Sequence, residues 1–446
     1  MSERDKVISA GSLVMISYGL SQLIRLGANL IVTRLLAPEM FGVMAMVTVL
    51  MHGITMFSDV GLTDYVIRHK DYKNSHVLNA VWTIQVIRGW LVFILLIGLS
   101  FMMSLWQTKY AASSGVYGDE SLPIMIGVVS ISAIFSGYNS LAPAVLTREL
   151  KRGRLELIRL LAQTSGAVTM IGWAYLYPTI WALASAGVVS SAVTLLLSYT
   201  MFNFRHRLEW NRERVLDVFN FGKWIFIASA ITYLAQQGDK LFFGAKITPA
   251  ELGVLSIAVM LAGFSTAMID QITGKVWLPV FSRKSNDVKS LKSNFNKIRL
   301  GQDSLVSLFT LIFGIWSPHL IDILYDSRYT EVSRMLQLLL LSSFAMSVAS
   351  TNKVLLVSLG ETKVQMQVMF FKVLSLIVLL PISFNLYGIT GGLLAVVISS
   401  YVGIIPQYIK MYSVGMLDFW KEIRIILPAL LLYSWLIFGK DFAYFN

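Results

Sequence analysis

The sequence predicts an all-α, polytopic membrane protein of about 12 to 13 transmembrane helices in two pseudo-symmetric six-helix lobes. Composition, a chain-long series of apolar runs and an internal repeat carry that prediction. Of the 446 residues, 56% are hydrophobic and only 14% are charged. A soluble domain carries roughly 25% charged residues, and soluble domains could not hide this much apolar side chain from water. The same hydrophobicity excludes disorder. The absence of cysteine removes a disulfide scaffold, an Fe–S cluster and a thiol nucleophile. A net charge of +12 would by itself suit nucleic acid; the placement of the cations along the chain decides otherwise.

Runs of about 20 apolar residues span a bilayer core, and they follow one another here with short polar breaks. The first, Val7 to Thr33, is too long for a leader core, carries Arg25 at its middle and has no small-residue cleavage site behind it, so it stays as a span. Met40 to Val66 ends at a loop with Arg68, Lys70 and Lys73. Val77 to Leu105 runs out to the longest external loop, Trp106 to Ser121, and Leu122 to Thr147 returns to Arg148, Lys151, Arg152 and Arg154. Leu157 to Tyr177 and Thr179 to Asn203 lead into the basic segment from Phe204 to Asp217. Val218 to Phe243 and Leu252 to Phe281 precede the run of cations from Arg283 to Arg299. Leu300 to Ile321, Met335 to Leu359, Val364 to Leu386 and Gly388 to Ile409 follow, and Ile423 to Phe438 is the thirteenth.

Alternate loops divide the Lys and Arg residues 24 to 6, with seven more inside spans. Positive charge stays on the cytoplasmic side, so the N-terminus is predicted to be cytoplasmic. No loop is large enough for a catalytic domain, and the chemistry must lie within the membrane.

An offset of 211 residues lays Leu30 to Asp59 on Leu241 to Asp270 without a gap. It pairs Gly11 with Gly222, Gly27 with Gly238, Pro38 with Pro249, Gly42 with Gly253, Val43 with Val254, Leu50 with Leu261 and Asp59 with Asp270. Shared apolar composition does not place a Pro, three Gly and an Asp at one offset, so the chain is a duplication. Six spans separate the copies, which makes the halves parallel, the arrangement in which transporters bind between lobes near the midplane. The expected organisation is a lobe over 1–203, a basic cytoplasmic linker over 204–217, a second lobe over 218–412 and an extra C-terminal helix in 413–446.

Charge inside a span needs a partner, water or a function. Tyr18, Gln22, Arg25 and Asn29 share one helical face. The same offset turns them into Ser229, Tyr233, Gln236 and Lys240, a second polar face with one cation. Such stripes suit either a hydrated cavity or an interhelical hydrogen-bond seam, and a seam does not require a cation in each copy. Arg88 sits with Trp82 and Gln85 on the third span. Lys223, Lys275 and Lys353 lie near cytoplasmic ends, where snorkelling to headgroups accounts for them; Lys372 is deeper. Asp59 and Asp270 either pair with Arg88 or a nearby Lys, or bind a proton or Na⁺ during transport. An excess of cations in such a cavity selects anions such as phosphates, and Tyr and Trp offer stacking surfaces for sugars.

The five histidines have no metal-ligand spacing, and no metal site is expected. The GITGG run at Gly388 to Gly392 lacks a preceding strand and suggests close helix packing. Pro143, Pro279, Pro381 and Pro406 suit first turns or static kinks.

Several passages resemble one family: TRLLAPEMFGVMAM after the first span, FSDVGLTDYVIRHKD closing the second, GDKLFFGAKITPAELGVLSIA between the seventh and eighth, LPVFSR ending the eighth and LYDSRYTEVSRMLQLLLL before the tenth. Their order and spacing are similar to those of the oligosaccharide flippases of the polysaccharide transporter family, within the multidrug/oligosaccharidyl-lipid/polysaccharide exporter superfamily. The resemblance implies two six-helix lobes in a V around a cationic cavity, and 12 or 14 spans against the 13 counted. It implies a non-enzymatic transporter of the bacterial inner membrane. Its cargo would be undecaprenyl-pyrophosphate-linked sugar repeat units, carried to the periplasmic leaflet by alternating access. The implied partners are membrane lipids and polysaccharide assembly machinery, with no nucleic acid and no cofactor. Arg25, Arg88 and Lys240 are then expected on the pyrophosphate, with Tyr18, Gln22, Asn29, Gln85, Tyr233, Gln236 and Lys372 around the substrate. Asp59 and Asp270 are the expected ion-coupling residues. A multidrug antiporter of the same superfamily would favour acidic cavity residues, and a polysaccharide polymerase or ligase would need a larger external loop bearing arginine or histidine.

Overall fold

The computed structural model describes residues 3–109, 115–149, 153–202, 205–210, 212–277, 280–281 and 288–418, and among these there is no strand. The first half contains α1 (Glu3–Leu35), α2 (Pro38–Phe57), α3 (Leu62–Arg68), α4 (Ser75–Lys109), α5 (Ser121–Val129), α6 (Ile131–Tyr138), α7 (Ala142–Arg148), α8 (Gly153–Leu176) and α9 (Trp181–Thr200). The second contains α10 (Arg212–Lys246), α11 (Pro249–Ile272), α12 (Val288–Leu324), α13 (Glu331–Ser358) and α14 (Lys363–Ser413). The thirteenth expected span, Ile423 to Phe438, lies outside the described residues, as does Pro279.

Seven helical stretches among the described residues are long and apolar enough to cross a membrane, and the chain is a multi-pass membrane protein. The helices α1, α8, α10 and α11, of 33, 24, 35 and 24 residues, also have the length. At 1.5 Å per residue the 51 residues of α14 would reach about 75 Å, more than twice a bilayer core. Helical geometry is interrupted within it at Tyr387 and at Gly388, whose φ of 59° favours glycine. A Cβ on Gly391 would overlap the Ser383 carbonyl, so the chain reverses sharply there, between the two spans expected at 364–386 and 388–409. Pro381 and Pro406 lie inside α14, and Pro143 is in the first turn of α7.

Several boundaries differ from the apolar pattern. The second span was expected to reach Val66, but α2 ends at Phe57. Asp59 Oδ1 accepts the Gly61 N–H at 3.1 Å, and Gly61 adopts φ 68° before α3 begins; this Asx-type turn breaks the helix although Val60 and Leu62 keep the run apolar. The fourth span, Leu122 to Thr147, is divided into α5, α6 and α7, with the chain extended at Asn139. The eighth stops at Ile272 and continues as a π turn over Thr273–Trp277. The ninth begins 12 residues before Leu300, as α12 starts at Val288. Of the linker expected at 204–217, the part from Arg212 onward is already α10.

The chain forms two compact units. One comprises the described residues up to Tyr233 together with Lys240–Gly253; the other comprises Leu234–Asp239 and the described residues from Val254 onward. In the first unit α8 packs on both α1 and α9, and α4 on α5 and α6. The Pro and Gly identities of the repeat meet one another in it. A Cβ on Gly42 would overlap the Pro249 carbonyl, and one on Gly253 would overlap the Pro38 carbonyl. Small residues at both positions therefore let α2 and the start of α11 cross backbone to backbone. The start of α11 is capped reciprocally: Thr248 N–H donates to Glu251 Oε2 at 2.8 Å and Glu251 N–H to Thr248 Oγ1 at 3.3 Å.

The segment 205–210 is strapped to α4 and the α6–α7 break. Arg207 N–H donates to Asn79 Oδ1 at 3.1 Å, and Glu209 N–H to Thr83 Oγ1 at 2.9 Å. His206 stacks on Trp82 with ring centres 5.6 Å apart, and its Nε2 accepts the Leu141 N–H at 3.2 Å. In the second unit α13 lies against α12 and α14. It is the most deeply buried of the seven apolar stretches, yet it carries buried Ser342, Ser343, Ser347, Thr351 and Asn352.

Candidate functional site

On α1 the stripe begins with a hydrogen bond from Gln22 Nε2 to the Tyr18 hydroxyl at 2.5 Å. Ser21 and Gln163 bond side chain to side chain, and Gln163 Nε2 also donates to the Ser21 carbonyl at 2.7 Å, fixing α1 to α8. Asn29 is half-buried and Arg25 exposed. The exposed apolar face of α1 contains Ile16, Leu20 and Leu23. At about 100° per residue, Arg25 lies about 180° around the helix from Ile16. The stripe is thus separate from the face suited to lipid.

Arg88 is held from three sides. Its Nε donates to Ser58 Oγ at 3.1 Å, its Nη2 to the Thr55 carbonyl at 2.9 Å, and its Nη1 lies 3.4 Å from Asp59 Oδ1. One turn earlier, Gln85 Nε2 donates to the carbonyls of Ser136, Gly137 and Asn139 at 3.3, 3.1 and 2.9 Å. They lie where α6 ends and carbonyls run short of helical donors, the Ser136 carbonyl also accepting the Asn139 N–H at 3.3 Å, so Gln85 acts as its C-terminal cap. Both side chains border a cavity of about 370 Å³ whose wall also includes Thr55, Asp59, Asp64 and Asn139. Two carboxylates face one guanidinium in it, a balance that does not attract a phosphate.

The remaining expected residues are dispersed. Tyr233 is buried, donates its hydroxyl to the Val49 carbonyl at 3.1 Å and sits edge-on to Phe57 at 5.4 Å. A Cβ on Gly53 would strike its ring, so it fills a helix contact within the first unit. Lys240, in the same unit, is half-buried and within electrostatic reach of His52. In the second unit Gln236 is exposed, and Lys372 interacts electrostatically with Asp239. Asp270 is exposed and accepts a hydrogen bond from the Ser350 hydroxyl at 2.5 Å. The structure therefore joins Asp59 to Arg88 and Tyr18 to Gln22, and gives Gln85 and Tyr233 structural partners.

One charge cluster was missed. Arg299, assigned from the sequence to a cytoplasmic loop, is buried on α12 with Asp303; Arg299 Nε donates to Asp303 Oδ2 at 3.1 Å and Nη2 to the Tyr408 hydroxyl at 3.1 Å. The signal was available, because the repeat offset of 211 carries position 88 to position 299, an arginine in both copies.

Residues 31–334 match the model of a family described as polysaccharide biosynthesis protein. The chain belongs to that family. Arg88, Lys240, Arg299 and Asp303 lie within the matched region, whereas the α1 stripe and Lys372 lie outside it. The lipopolysaccharide biosynthesis protein WzxC of Escherichia coli (strain K12) is 22% identical over 96% of this chain and 87% of its own. Among solved structures, the lipid II flippase MurJ in an inward closed conformation superposes with a TM-score of 0.69 at 16% identity, over 94% of this chain and 91% of its own. An inward-facing multidrug resistance MATE transporter superposes with a TM-score of 0.66 at 15% identity, over 92% and 95%. The fold is therefore the one these transporters share.

Proposed function

We propose that this protein is a flippase for lipid-linked oligosaccharides in surface or exopolysaccharide biosynthesis. Its cargo is an undecaprenyl-pyrophosphate-linked repeat unit, moved by alternating access from the cytoplasmic to the periplasmic leaflet of the bacterial inner membrane. The N-terminus is cytoplasmic, and membrane lipids and the polysaccharide assembly machinery are the partners. Family membership and the likeness to WzxC, named for lipopolysaccharide biosynthesis, support the pathway; the flippase MurJ, like the MATE transporter, supports the fold.

The observation that carries the site is the exposed guanidinium of Arg25, set apart from the apolar face of its own helix. A guanidinium in a restricted, water-filled space is a strong ligand for pyrophosphate oxygens. Lys240, in the same unit, is its partner on the phosphate, and Tyr18, Gln22 and Asn29 supply polar contacts. Arg88, Gln85 and Tyr233 act at a distance by holding helices in place. A proton or Na⁺ gradient drives the cycle; of the repeat's two acids, Asp59 is held by Arg88 and Asp270 by Ser350.

Replacing Arg25 with Ala is expected to reduce polysaccharide export by at least about tenfold, the loss of one charge-assisted contact of about 1.5–3 kcal/mol. The protein should remain in the membrane fraction. Export at the normal rate would remove Arg25 from the site.

A further inference from the structure

We propose that Asp303 is a proton-binding site of the second unit and that Arg299 is its permanently charged partner; the proposal rests on the transporter reading above. Asp303 is 1% exposed and Arg299 2%. One carboxylate oxygen, Oδ2, accepts from Arg299 Nε, while Oδ1 accepts no hydrogen bond among the described residues. A buried carboxylate oxygen without a donor is a costly arrangement. A proton on Oδ1 neutralises the group.

The guanidinium is built to survive that event. Besides Asp303 it has the Tyr408 hydroxyl, and it lies over the rings of Phe295 and Tyr408 at 5.5 and 5.8 Å from their centres. Ring faces hold a desolvated cation without an anion. Arg299 can therefore stay in place when Asp303 becomes neutral.

The first unit provides the contrast. Arg88, at the same repeat position, is tied to Asp59, Ser58 and the Thr55 carbonyl, and Asp59 is itself engaged by the Gly61 N–H. The position matching Asp303 there is Val92. The second copy thus places a carboxylate where the first has an apolar side chain, while Asp270, the counterpart of Asp59, bonds Ser350 instead. Gln302 accepts from Trp277 Nε1 at 3.0 Å and donates to Thr351 Oγ1 at 2.7 Å, next to Ser350 on α13.

Among the described residues, Arg299 on the same helix and, through Arg299, Tyr408 on α14 are the ionisable groups tied to Asp303, while Asp270 on α11 bonds Ser350. On α13, Thr351, bonded to Gln302, does not ionise, and Lys353 is exposed. A proton suits this site better than Na⁺, because it needs one oxygen, whereas a metal ion needs several and would sit beside a guanidinium. Uptake converts the carboxylate to the acid with no other bond changed, so the pair passes from neutral to a charge of about +1. Release on the opposite side restores the ion pair.

The test is an infrared difference spectrum of the purified full chain between about pH 5 and about pH 8, above the ordinary range of an aspartate carboxyl. A protonated-carboxyl band is expected in the wild type, in Asp59→Asn and in Asp270→Asn, absent in Asp303→Asn, and identical in sodium and potassium salts. This readout needs no substrate, so it stands or falls apart from the flippase assignment. If Asp303→Asn does not fold, the Arg299→Met, Asp303→Leu double variant replaces it, since buried ion pairs exchange for apolar residues of similar size without loss of stability. That variant is expected to lack the band and to lose the response of export to an imposed proton gradient, about tenfold or more. Persistence of the band without Asp303, a sodium-dependent band, or gradient-driven export at the wild-type rate in the double variant would each overturn the proposal and leave a structural ion pair.

Discussion

Asp59 and Asp270 occupy one repeat position and have different partners, a guanidinium and a hydroxyl. The pairing of Asp59 with Arg88 was legible, because an acid and a base inside neighbouring spans have few alternatives in a bilayer. Arg299 was not. Its neighbours are polar enough to look like loop, and only the repeat offset, which carries position 88 to position 299, moves it into a span. Removing one partner of the Arg88 pair strands the other. Arg88→Ala is therefore expected to lower stability by about 1–3 kcal/mol, measured as the unfolding midpoint in detergent, with part of the loss recovered in the Arg88→Ala, Asp59→Ala double variant. If the single variant melts like the wild type, Arg88 is free to serve substrate as the sequence suggested.

Among the elements, apolar runs located the long helices because hydrocarbon demands them, but they could not show the breaks. Gly61 and Asn139 interrupt stretches that apolar residues continue on both sides, and the short polar turns around them, with Asp59 accepting the Gly61 N–H in the first, mark the division. The crossing of α2 with α11 was half legible: the repeat singled out Pro38, Gly42, Pro249 and Gly253, but not that the two copies touch. Gly42→Ala and Gly253→Ala each force a methyl into a carbonyl, and each is expected to cost about 1–3 kcal/mol, readable as a lowered melting temperature. The strap at 205–210 responds to pH. Burial beneath Trp82 lowers the His206 pKa from 6.5 to about 4, so between those values the released strap binds more protons than the docked one. Docking is fully stable above about pH 6.5 and weakens as pH falls toward about 4. Hydrogen exchange at Arg207 and Glu209, whose N–H groups are bonded to α4, should accelerate over that window relative to the acceleration seen in His206→Gln. An equal pH response in both would assign it elsewhere.

For the whole molecule, the surplus of 37 cations over 25 acids becomes informative only when sorted. Several pair with acids, and Arg25 and Lys240 are the cations proposed for an anionic cargo. Composition, repeat and stripe made the transporter class legible; a shared fold leaves the cargo to chemistry, since a flippase and a multidrug transporter both superpose on this chain. The most direct measurement is leaflet exchange of an undecaprenyl-pyrophosphate-linked oligosaccharide in vesicles containing the purified protein. Exchange well above that of protein-free vesicles, reduced at least about tenfold by Arg25→Ala, is the predicted result. Exchange no faster than in protein-free vesicles, alongside uptake of a lone organic cation, would contradict it.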